Sequence, residues 1–399
     1  MKTWKKVLIT IFFILLALGI WGYPKWKMLN HVMHLFDDDK IVENFRTFNE
    51  VTPISELTAS KTPLPYSKKS NINLPDSFKF MGTDYNTEAF LKDSWTTGFL
   101  VIQNDTVVFE KYYLKNTETT RNISWSMAKS FISALIGIAI EEGHIKNVMQ
   151  NVEEYLPELK GSGYEGVRIK DVLQMSTGVG FNEDYGDFNS DINRWGRGFA
   201  LGSSQDAFAA TLKRELEPGT VNHYVSINTH VLGMILTKAT GKTITEYMQE
   251  KLYEPLGMEN DGYWLIDGRN MEMALGGLNL TLRDFAKIGS LYLHGGKWNN
   301  QQIVPNEWVK MSLTADAPHL QPTDDSFGYG YQWWLPKSDI GEFMAVGVYN
   351  QNIYINPVTK TVVVKLSANP RFNDNTYVPS SEDAALEMYR KIANSAAGL

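Results

Sequence analysis

The residues best suited to chemistry in this sequence are Ser126 and Lys129, which are three positions apart. A serine hydroxyl is a weak nucleophile until a neighbouring group takes its proton. If the segment is helical, residues three apart lie on one face of the helix and can reach each other. A lysine amine surrounded by apolar side chains also loses affinity for its own proton. The spacing therefore predicts a nucleophilic serine that is activated by the lysine.

The surroundings of Ser126 and Lys129 favour a catalytic role over a chance occurrence of this spacing. About one such pairing is expected by chance in a chain of this length, and the alternative is a helix-capping serine followed by a surface lysine. However, Lys129 is the only charged residue between Ile123 and Ile140, and a lone charge among apolar residues is costly to bury without a functional partner. A serine near a helix start would also have free backbone amides beside it, which stabilise a developing oxyanion.

A second candidate pair is Tyr224 and Ser226, in the polar stretch HYVS that precedes the apolar run VLGMILTKA. A phenol at this position could relay a proton to or from a reacting group. The alternative is a tyrosine in the core or at its rim, which is the usual place for this residue. The nearby His223 and His230 are interpreted as residues that form local hydrogen bonds.

Two early strands, a buried helix and two late strands must position these residues. The β-rich runs GFLVIQ and TVVFEKYYL are separated by Asn104 and Asp105, a pair typical of a two-residue hairpin. The segment SWSMAKSFISALIGIAIEEGHI is apolar on nearly every side, which predicts a helix inside the domain that ends near Gly143. The late runs FMAVGVYNQNIYINP and TVVVKLSANP are joined by a short turn, which predicts antiparallel pairing.

The predicted fold class is therefore α+β, with an antiparallel sheet flanked by helices and an inserted, mainly helical lobe at about residues 148–267. Residues 24–77 lack a sustained periodicity and are interpreted as a stalk and lead-in. The main domain is expected to cover residues 78–395, with a final helix from Glu382 to Ala393. No internal repeat is visible.

Three motifs resemble those of the serine β-lactamase and penicillin-binding-protein superfamily, in its class C-like branch. They are Ser126-Met-Ala-Lys129, Tyr224-Val-Ser226 and the late GVYNQNIYINP, and the resemblance covers roughly residues 80–395. Four further stretches are similar to this family: DVLQMSTG, PGTVNHYVSINTHVLG, GGLNLTLRDFAKIGSLYLHGG and FGYGYQWW. Within the branch, the pattern most resembles the 6-aminohexanoate-dimer (nylon-oligomer) hydrolases and related esterases. The resemblance implies a β-lactamase/transpeptidase-like fold.

The resemblance also implies a role for each motif residue. Ser126 would be the acylated nucleophile, Lys129 its proton partner, and Tyr224 the base and acid for the leaving group and the attacking water. An oxyanion hole would combine the Ser126 amide with an amide near Val348 or Tyr349. Whether Lys129 or Tyr224 is the acylation base stays open. The candidate substrate-binding residues are Tyr185, Ser226, Asn279, Gly347, Val348, Tyr349 and Asn350.

One departure from the family concerns the substrate. Penicillin-recognising members usually carry a lysine on the late strand that attracts the substrate carboxylate, whereas AVGVYNQ contains no cation. A carboxylate that enters a desolvated cleft without a cationic partner loses more hydration than it regains. The departure therefore favours neutral esters and linear amides over β-lactams.

Composition excludes several other classes of function. The net charge of -7 and the absence of a cationic cluster argue against nucleic-acid binding. The chain has no cysteine, which excludes disulfides, thiolate nucleophiles and a lipoprotein anchor. The scattered histidines do not predict a metal site, and no cofactor is expected. The sequence also lacks a GxSxG elbow, an HExxH motif and a GxxxxGK[ST] loop.

The N-terminus is typical of an export signal. Lys2, Lys5 and Lys6 precede an uncharged, mostly apolar run at residues 7–23, which further lysines follow. We expect an uncleaved membrane anchor, with cleavage after the small residues of the run as the alternative. The leading lysines should stay in the cytoplasm, so the rest of the chain is expected on the outer face of the inner membrane.

These features together predict an exported serine hydrolase that forms an acyl-enzyme and acts on small-molecule esters or linear amides. One alternative is a β-lactamase or D-alanyl-D-alanine carboxypeptidase. Another is a catalytically silent protein that binds other components of the cell envelope. The sequence makes no prediction of oligomeric state or of the physiological substrate.

Overall fold

The computed structural model describes residues 3–69 and 71–399. Met1, Lys2 and Ser70 lie outside the described residues, and so does the part of the export prediction that concerns Lys2. The helices are α1 Thr3–Met33, α2 Ile41–Asn44, α3 Thr87–Asp93, α4 Ala128–Glu141, α5 Ile169–Leu173, α6 Asp191–Ala200, α7 Gln205–Ala209, α8 Ser226–Thr240, α9 Ile244–Met248, α10 Leu282–Leu293, α11 Asn306–Ser312 and α12 Glu382–Ala396.

The strands are β1 Ile54–Leu57, β2 Ser67–Lys68, β3 Ser77–Phe80, β4 Thr83–Asn86, β5 Thr96–Gln103, β6 Thr106–Tyr112, β7 Asn122–Ile123, β8 Gly262–Leu265, β9 Leu278–Leu280, β10 Lys297–Trp298, β11 Gln301–Gln302, β12 Gly328–Tyr329, β13 Trp334–Leu335, β14 Phe343–Gly347, β15 Gln351–Asn356 and β16 Thr361–Ser367. The main sheet has the order β12-β13-β14-β15-β16-β5-β6-β2, and a smaller sheet has the order β1-β8-β9-β7. Within residues 148–267 the described elements are α5 to α9, short single turns and β8.

The main sheet confirms the predicted pairing of its central strands. β15 and β16 are antiparallel, and β16 pairs antiparallel with β5, so the early and late strands share one sheet. The hairpin between β5 and β6 turns at Asn104 and Asp105, with φ of +48° and +56°. Asn and Asp tolerate these left-handed values, which match the twist of the flanking strands. The sheet differs from the prediction in two places: the late run FMAVGVYNQNIYINP forms two antiparallel strands, β14 and β15, and at the edge β2 pairs in parallel with β6.

Helices cover both faces of the main sheet because alternate residues of its strands point to opposite sides. Phe99 of β5 joins an apolar cluster with Tyr389 of α12. Leu100, the next residue, joins a second cluster with Phe131 of α4 and Phe285 of α10. The core therefore consists of two layers, and α4 lies inside the larger one, as its apolar sequence predicts.

Residues 41–68 pack on the main domain, which differs from the predicted stalk. β1 pairs with β8, β2 pairs with β6, and Ile41 and Leu57 are fully buried. Both strands are short and extend the edges of existing sheets. Their partner strands, rather than a local sequence pattern, determine their conformation. The stalk interpretation therefore does not hold for residues 41–68.

The N-terminal helix α1 extends ten residues beyond the apolar run, to Met33. Its segment Thr3–Tyr23 has a mean hydropathy of 2.1 and is long and apolar enough to cross a membrane. No other helix among the described residues meets both conditions. The large apolar side chains of this segment are exposed. One apolar N-terminal helix of this kind is compatible with a signal anchor or a signal peptide.

Candidate active site

Ser126 lies in a single helical turn between strand β7 and helix α4. The preceding Trp125 has a φ of +44°, a conformation that costs a non-glycine residue about 1–3 kcal/mol and must be held by its surroundings. The Trp125 ring contacts the rings of Phe45 and Tyr349 at centroid distances of 5.4 and 5.7 Å. This packing holds the turn, and the half-buried Ser126 lines the adjoining cavity.

Lys129 is almost completely buried, one turn beyond Ser126 on α4. Its Nζ lies 2.9 Å from Ser126 Oγ and donates to the Leu275 carbonyl oxygen at 2.6 Å. Burial lowers the pKa of the Lys129 ammonium to about 7, and the negative charge of Glu183 opposes part of that shift. Near neutral pH the amine is therefore available to accept a proton.

Tyr224 faces the same two groups from the segment just before α8. Its hydroxyl lies near the Ser126 side chain, and Lys129 Nζ lies 5.4 Å from the centre of its ring. The ring stacks on Trp334 at 5.5 Å. Burial, together with the nearby charge of Glu183, raises the pKa of the Tyr224 phenol, and its interaction with Ser126 lowers the pKa by a smaller amount. The phenol therefore keeps its proton at neutral pH.

Glu183 organises the polar side of the site, and the sequence analysis did not single it out. Its carboxylate accepts hydrogen bonds from the Ser226 amide at 3.0 Å, from the Ser226 hydroxyl, and from the Tyr185 hydroxyl at 3.0 Å. Ser226 and Tyr185 both line the cavity with Ser126. Glu183 thus fixes two predicted substrate-binding residues and places a negative charge near Lys129.

Gly347 ends β14 directly beside the Ser126 turn. A Cβ at this position would lie 2.7 Å from the Ser124 carbonyl oxygen and 3.3 Å from the Ser126 nitrogen. The next residues, Val348 and Tyr349, line the cavity. The close approach leaves room only for glycine, and it brings the backbone of the third motif next to the Ser126 amide.

Asn279 and Asn350 lie away from the cavity, whereas the predicted residues Ser126, Tyr185, Ser226, Val348 and Tyr349 line it. Asn279 is fully buried in β9 and donates to the Gly277 carbonyl at 2.9 Å. Asn350 donates to Glu382 Oε1 at 2.9 Å, and its carbonyl accepts from Lys365 Nζ at 3.0 Å. Neither asparagine lines the cavity. The structure therefore does not place them to contact a substrate there, and Asn350 instead braces the turn that follows Gly347.

The local hydrogen bonds predicted for the two histidines are present. His223 Nε2 lies 3.0 Å from the Phe181 carbonyl oxygen, and His230 Nε2 lies 2.8 Å from Asp206 Oδ1. In the described part of the chain, no group of three or more histidine, aspartate and glutamate side chains is arranged to hold a metal ion.

Comparisons with known proteins agree with this geometry. A family model described as Beta-lactamase matches residues 88–378. The 6-aminohexanoate-dimer hydrolase of Paenarthrobacter ureafaciens is 31% identical over 297 residues, which cover 71% of this chain and 75% of that protein. Because the family model spans more than half of the chain and the relative exceeds 30% identity, the sequence resemblance is confirmed.

Solved structures give the same result for the fold. A candidate 6-aminohexanoate-dimer hydrolase from Bacillus anthracis superposes with a TM-score of 0.79 at 25% identity, covering 92% of this chain and 96% of that one. A penicillin-binding protein from Bacillus halodurans superposes with a TM-score of 0.55 at 16% identity, covering 71% and 97%. The chain, with its mixed sheets flanked by helices, is a hydrolase of the beta-lactamase family and is similar to 6-aminohexanoate-dimer hydrolase.

Proposed function

We propose that this protein is an exported serine hydrolase that cleaves small-molecule esters or linear amides through an acyl-enzyme on Ser126. The observation that carries the proposal is the position of one hydroxyl. Ser126 Oγ is 2.9 Å from Lys129 Nζ, near the Tyr224 phenol and at the wall of a cavity of about 830 Å³. A nucleophile, a base and backbone donors around one point are what acyl transfer requires.

Lys129 is the acylation base in this mechanism, because its amine loses its proton near pH 7 whereas the Tyr224 phenol does not. Lys129 takes the Ser126 proton as Oγ attacks the substrate carbonyl. The oxyanion accepts hydrogen bonds from the Ser126 amide and from that of Val348 or Tyr349. The proton held by Lys129 returns through Tyr224 to the leaving oxygen or nitrogen, and water then attacks the acyl-enzyme by the reverse sequence.

The absence of a late-strand cation supports neutral substrates. Residues 343–352 contain no lysine or arginine, and Lys365 is buried against the Asn350 carbonyl outside the cavity wall. The name of the Paenarthrobacter ureafaciens relative refers to hydrolysis of a 6-aminohexanoate dimer, which is consistent with an amide as substrate. In this proposal α1 anchors the chain in the inner membrane with residues 41–395 on the outer face, and residues 148–267 form the lobe beside the site.

The pH dependence of activity tests the role of Lys129. In the wild type, kcat/KM for a neutral ester should rise with pH through a midpoint of about 7, as Lys129 loses its proton. Glu183 raises the pKa of Lys129, so Glu183→Gln should move this midpoint to lower pH. Asp184→Asn, a change at an exposed neighbouring carboxylate, is the matched control and should leave the midpoint in place. An unmoved midpoint in Glu183→Gln would contradict the assignment.

A substrate panel tests the proposed reaction. We expect the wild type to hydrolyse p-nitrophenyl butyrate and a linear amide, and Ser126→Ala to lose both activities. Without a cation for the carboxylate, kcat/KM for nitrocefin should be about 100-fold below that for the ester or lower. Nitrocefin or a D-alanyl peptide turned over as efficiently as the ester would favour the β-lactamase or carboxypeptidase alternative. No Ser126-dependent turnover of any substrate would favour the silent binding protein.

A further inference from the structure

We infer that the substrate is an amphiphile with a long hydrocarbon chain, which reaches Ser126 from the membrane that α1 spans. The inference rests on the proposed hydrolase function and adds to it the chemical class of the substrate and its source. Two independent features carry it: the position of α1 relative to the cavity, and the side chains that form the cavity wall and mouth.

The helix that crosses the membrane also forms part of the cavity wall. α1 continues from its apolar segment Thr3–Tyr23 to Met33, and both Met28 and Met33 line the cavity that contains Ser126. A helix rises about 1.5 Å per residue, so these methionines lie about 7 and 15 Å beyond Tyr23. The headgroup layer of a bilayer extends about 5–8 Å beyond the hydrocarbon core. The wall of the cavity therefore begins at the level of the lipid headgroups.

The last turns of α1 are held against the domain instead of forming a free tether. The His31 ring packs edge-on against Phe48 at 5.8 Å, and Lys27 Nζ donates to the Glu50 carbonyl at 3.4 Å. On the exposed side, Tyr23 and Trp26 stack at 6.1 Å, as aromatic residues do at a membrane interface. The domain is thus kept close to the membrane surface with the cavity facing α1.

The cavity wall is suited to hydrocarbon. Its volume of about 830 Å³ is in the upper part of the range for small-molecule sites. Among the described residues that line it, Arg197 is the only one with a charged side chain. A short polar substrate would leave most of this apolar surface against water, whereas a hydrocarbon chain would cover it. Apolar and aromatic side chains of the wall include Met28, Met33, Phe36, Trp125, Trp195 and Leu275.

The mouth of the cavity is apolar as well. Phe188 and Leu201 are each 70% exposed, Met33 is 63% exposed, and all three line the cavity. A cluster of exposed apolar side chains on a protein surface marks an interaction site. The Arg197 guanidinium lies 3.9 Å from the centre of the Phe188 ring, which adds a cation suited to the headgroup layer. Lipid in contact with this mouth would give an amphiphile a path to Ser126 that avoids water.

Chain-length dependence in the full-length protein in detergent is the first test. Each methylene that becomes fully buried raises affinity about fourfold, so kcat/KM should rise at least about 50-fold from p-nitrophenyl butyrate to octanoate. The double variant Met33→Gln/Leu201→Gln should reduce the octanoate-to-butyrate ratio about tenfold. Met149→Gln, a change at an exposed methionine outside the cavity wall, should keep the wild-type ratio.

Delivery from the membrane is the second test, with full-length protein in phosphatidylcholine vesicles. A fluorogenic long-chain ester in the same vesicles should be hydrolysed at least about tenfold faster than one in separate vesicles. Equal rates, or Ser126-dependent butyrate hydrolysis without a gain for octanoate, would overturn the inference and leave the hydrolase function standing. Butyrate hydrolysis that is equal in wild type and Ser126→Ala would instead overturn the proposed function itself.

Discussion

Lys129→Met should lower kcat for a simple ester by about 10³-fold and yield a more stable protein. Removal of a general base typically costs between about 10²- and 10⁴-fold, and Tyr224 cannot replace it because burial raises the pKa of its phenol. Methionine fills nearly the same space in the apolar surroundings of α4. Steady-state kinetics at pH 7.5 on a p-nitrophenyl ester measure the effect.

The stability gain follows from the same pKa. Lys129 has a pKa of about 7 in the folded protein against 10.5 as its ordinary value, so unfolding takes up a proton between these pH values. The penalty for burying the amine is therefore complete below pH 7 and disappears above pH 10.5. The free energy of unfolding of Lys129→Met should exceed that of the wild type by on the order of a few kcal/mol at pH 6. The difference should shrink towards pH 10.

Lys287→Met is the matched control for this prediction. Lys287 is also fully buried, burial lowers the pKa of its ammonium, and it lies outside the cavity wall. Its replacement should leave kcat close to the wild-type value. A Lys129→Met protein that retains more than about a tenth of wild-type kcat would show that Lys129 is a structural residue.

Gly347→Ala should have the second large effect, about a 10²-fold loss of kcat with a smaller change in KM. The new Cβ would lie 2.7 Å from the Ser124 carbonyl oxygen, so the strand must move away from the Ser126 turn. That movement would misplace the backbone donors proposed for the oxyanion, and loss of one such donor typically costs about 10²- to 10³-fold. Overpacking should also lower the free energy of unfolding by about 1–3 kcal/mol.

Gly22→Ala is the control for the glycine prediction, because a Cβ at position 22 has no neighbour within 4 Å. It should change neither kcat nor the denaturation midpoint. Unchanged kcat in Gly347→Ala, measured on protein that circular dichroism shows to be folded, would mean that the close approach of β14 to Ser126 has no role in the reaction.

The features of the site that sequence reasoning predicted are those that local patterns determine. Ser126 and Lys129 meet because they are three residues apart on one element, and the charge-free surroundings of Lys129 already indicate its desolvation. The hairpin at Asn104 and Asp105 follows from the backbone preferences of these two residues. In each case the relevant interactions lie within a few residues of one another along the chain.

The features that the sequence did not reveal depend on contacts between distant segments. Glu183 is one of several acidic residues in the loop before α6, and nothing local distinguishes it from Asp184. What distinguishes Glu183 is its contact with Ser226, 43 residues away. The Ser226 amide and hydroxyl both donate hydrogen bonds to the Glu183 carboxylate. The motif position of Asn350 predicts contact with substrate, but in the structure Asn350 hydrogen-bonds with Glu382 and Lys365 and supports the turn.

The role of the N-terminal region also depends on contacts between segments that are distant in sequence. The aromatic residues Phe36, Phe45 and Phe48 lie in a segment without periodicity, and the sequence therefore suggested a stalk. The rings of these three residues pack against the Trp125 ring, with centroid distances of 5.4–6.2 Å. Only the folded structure shows that this segment, with the end of α1, walls the cavity of Ser126.

The most direct test of the central claim is covalent labelling of the full-length chain with a fluorophosphonate, followed by intact-mass measurement and peptide mapping. We expect one adduct per chain, located on Ser126, that forms more slowly at pH 5.5 than at pH 8 because protonated Lys129 cannot accept the serine proton. Ser126→Ala should remain unlabelled. Equal labelling of the two proteins, or an adduct on another residue, would contradict the assignment of Ser126 as the nucleophile.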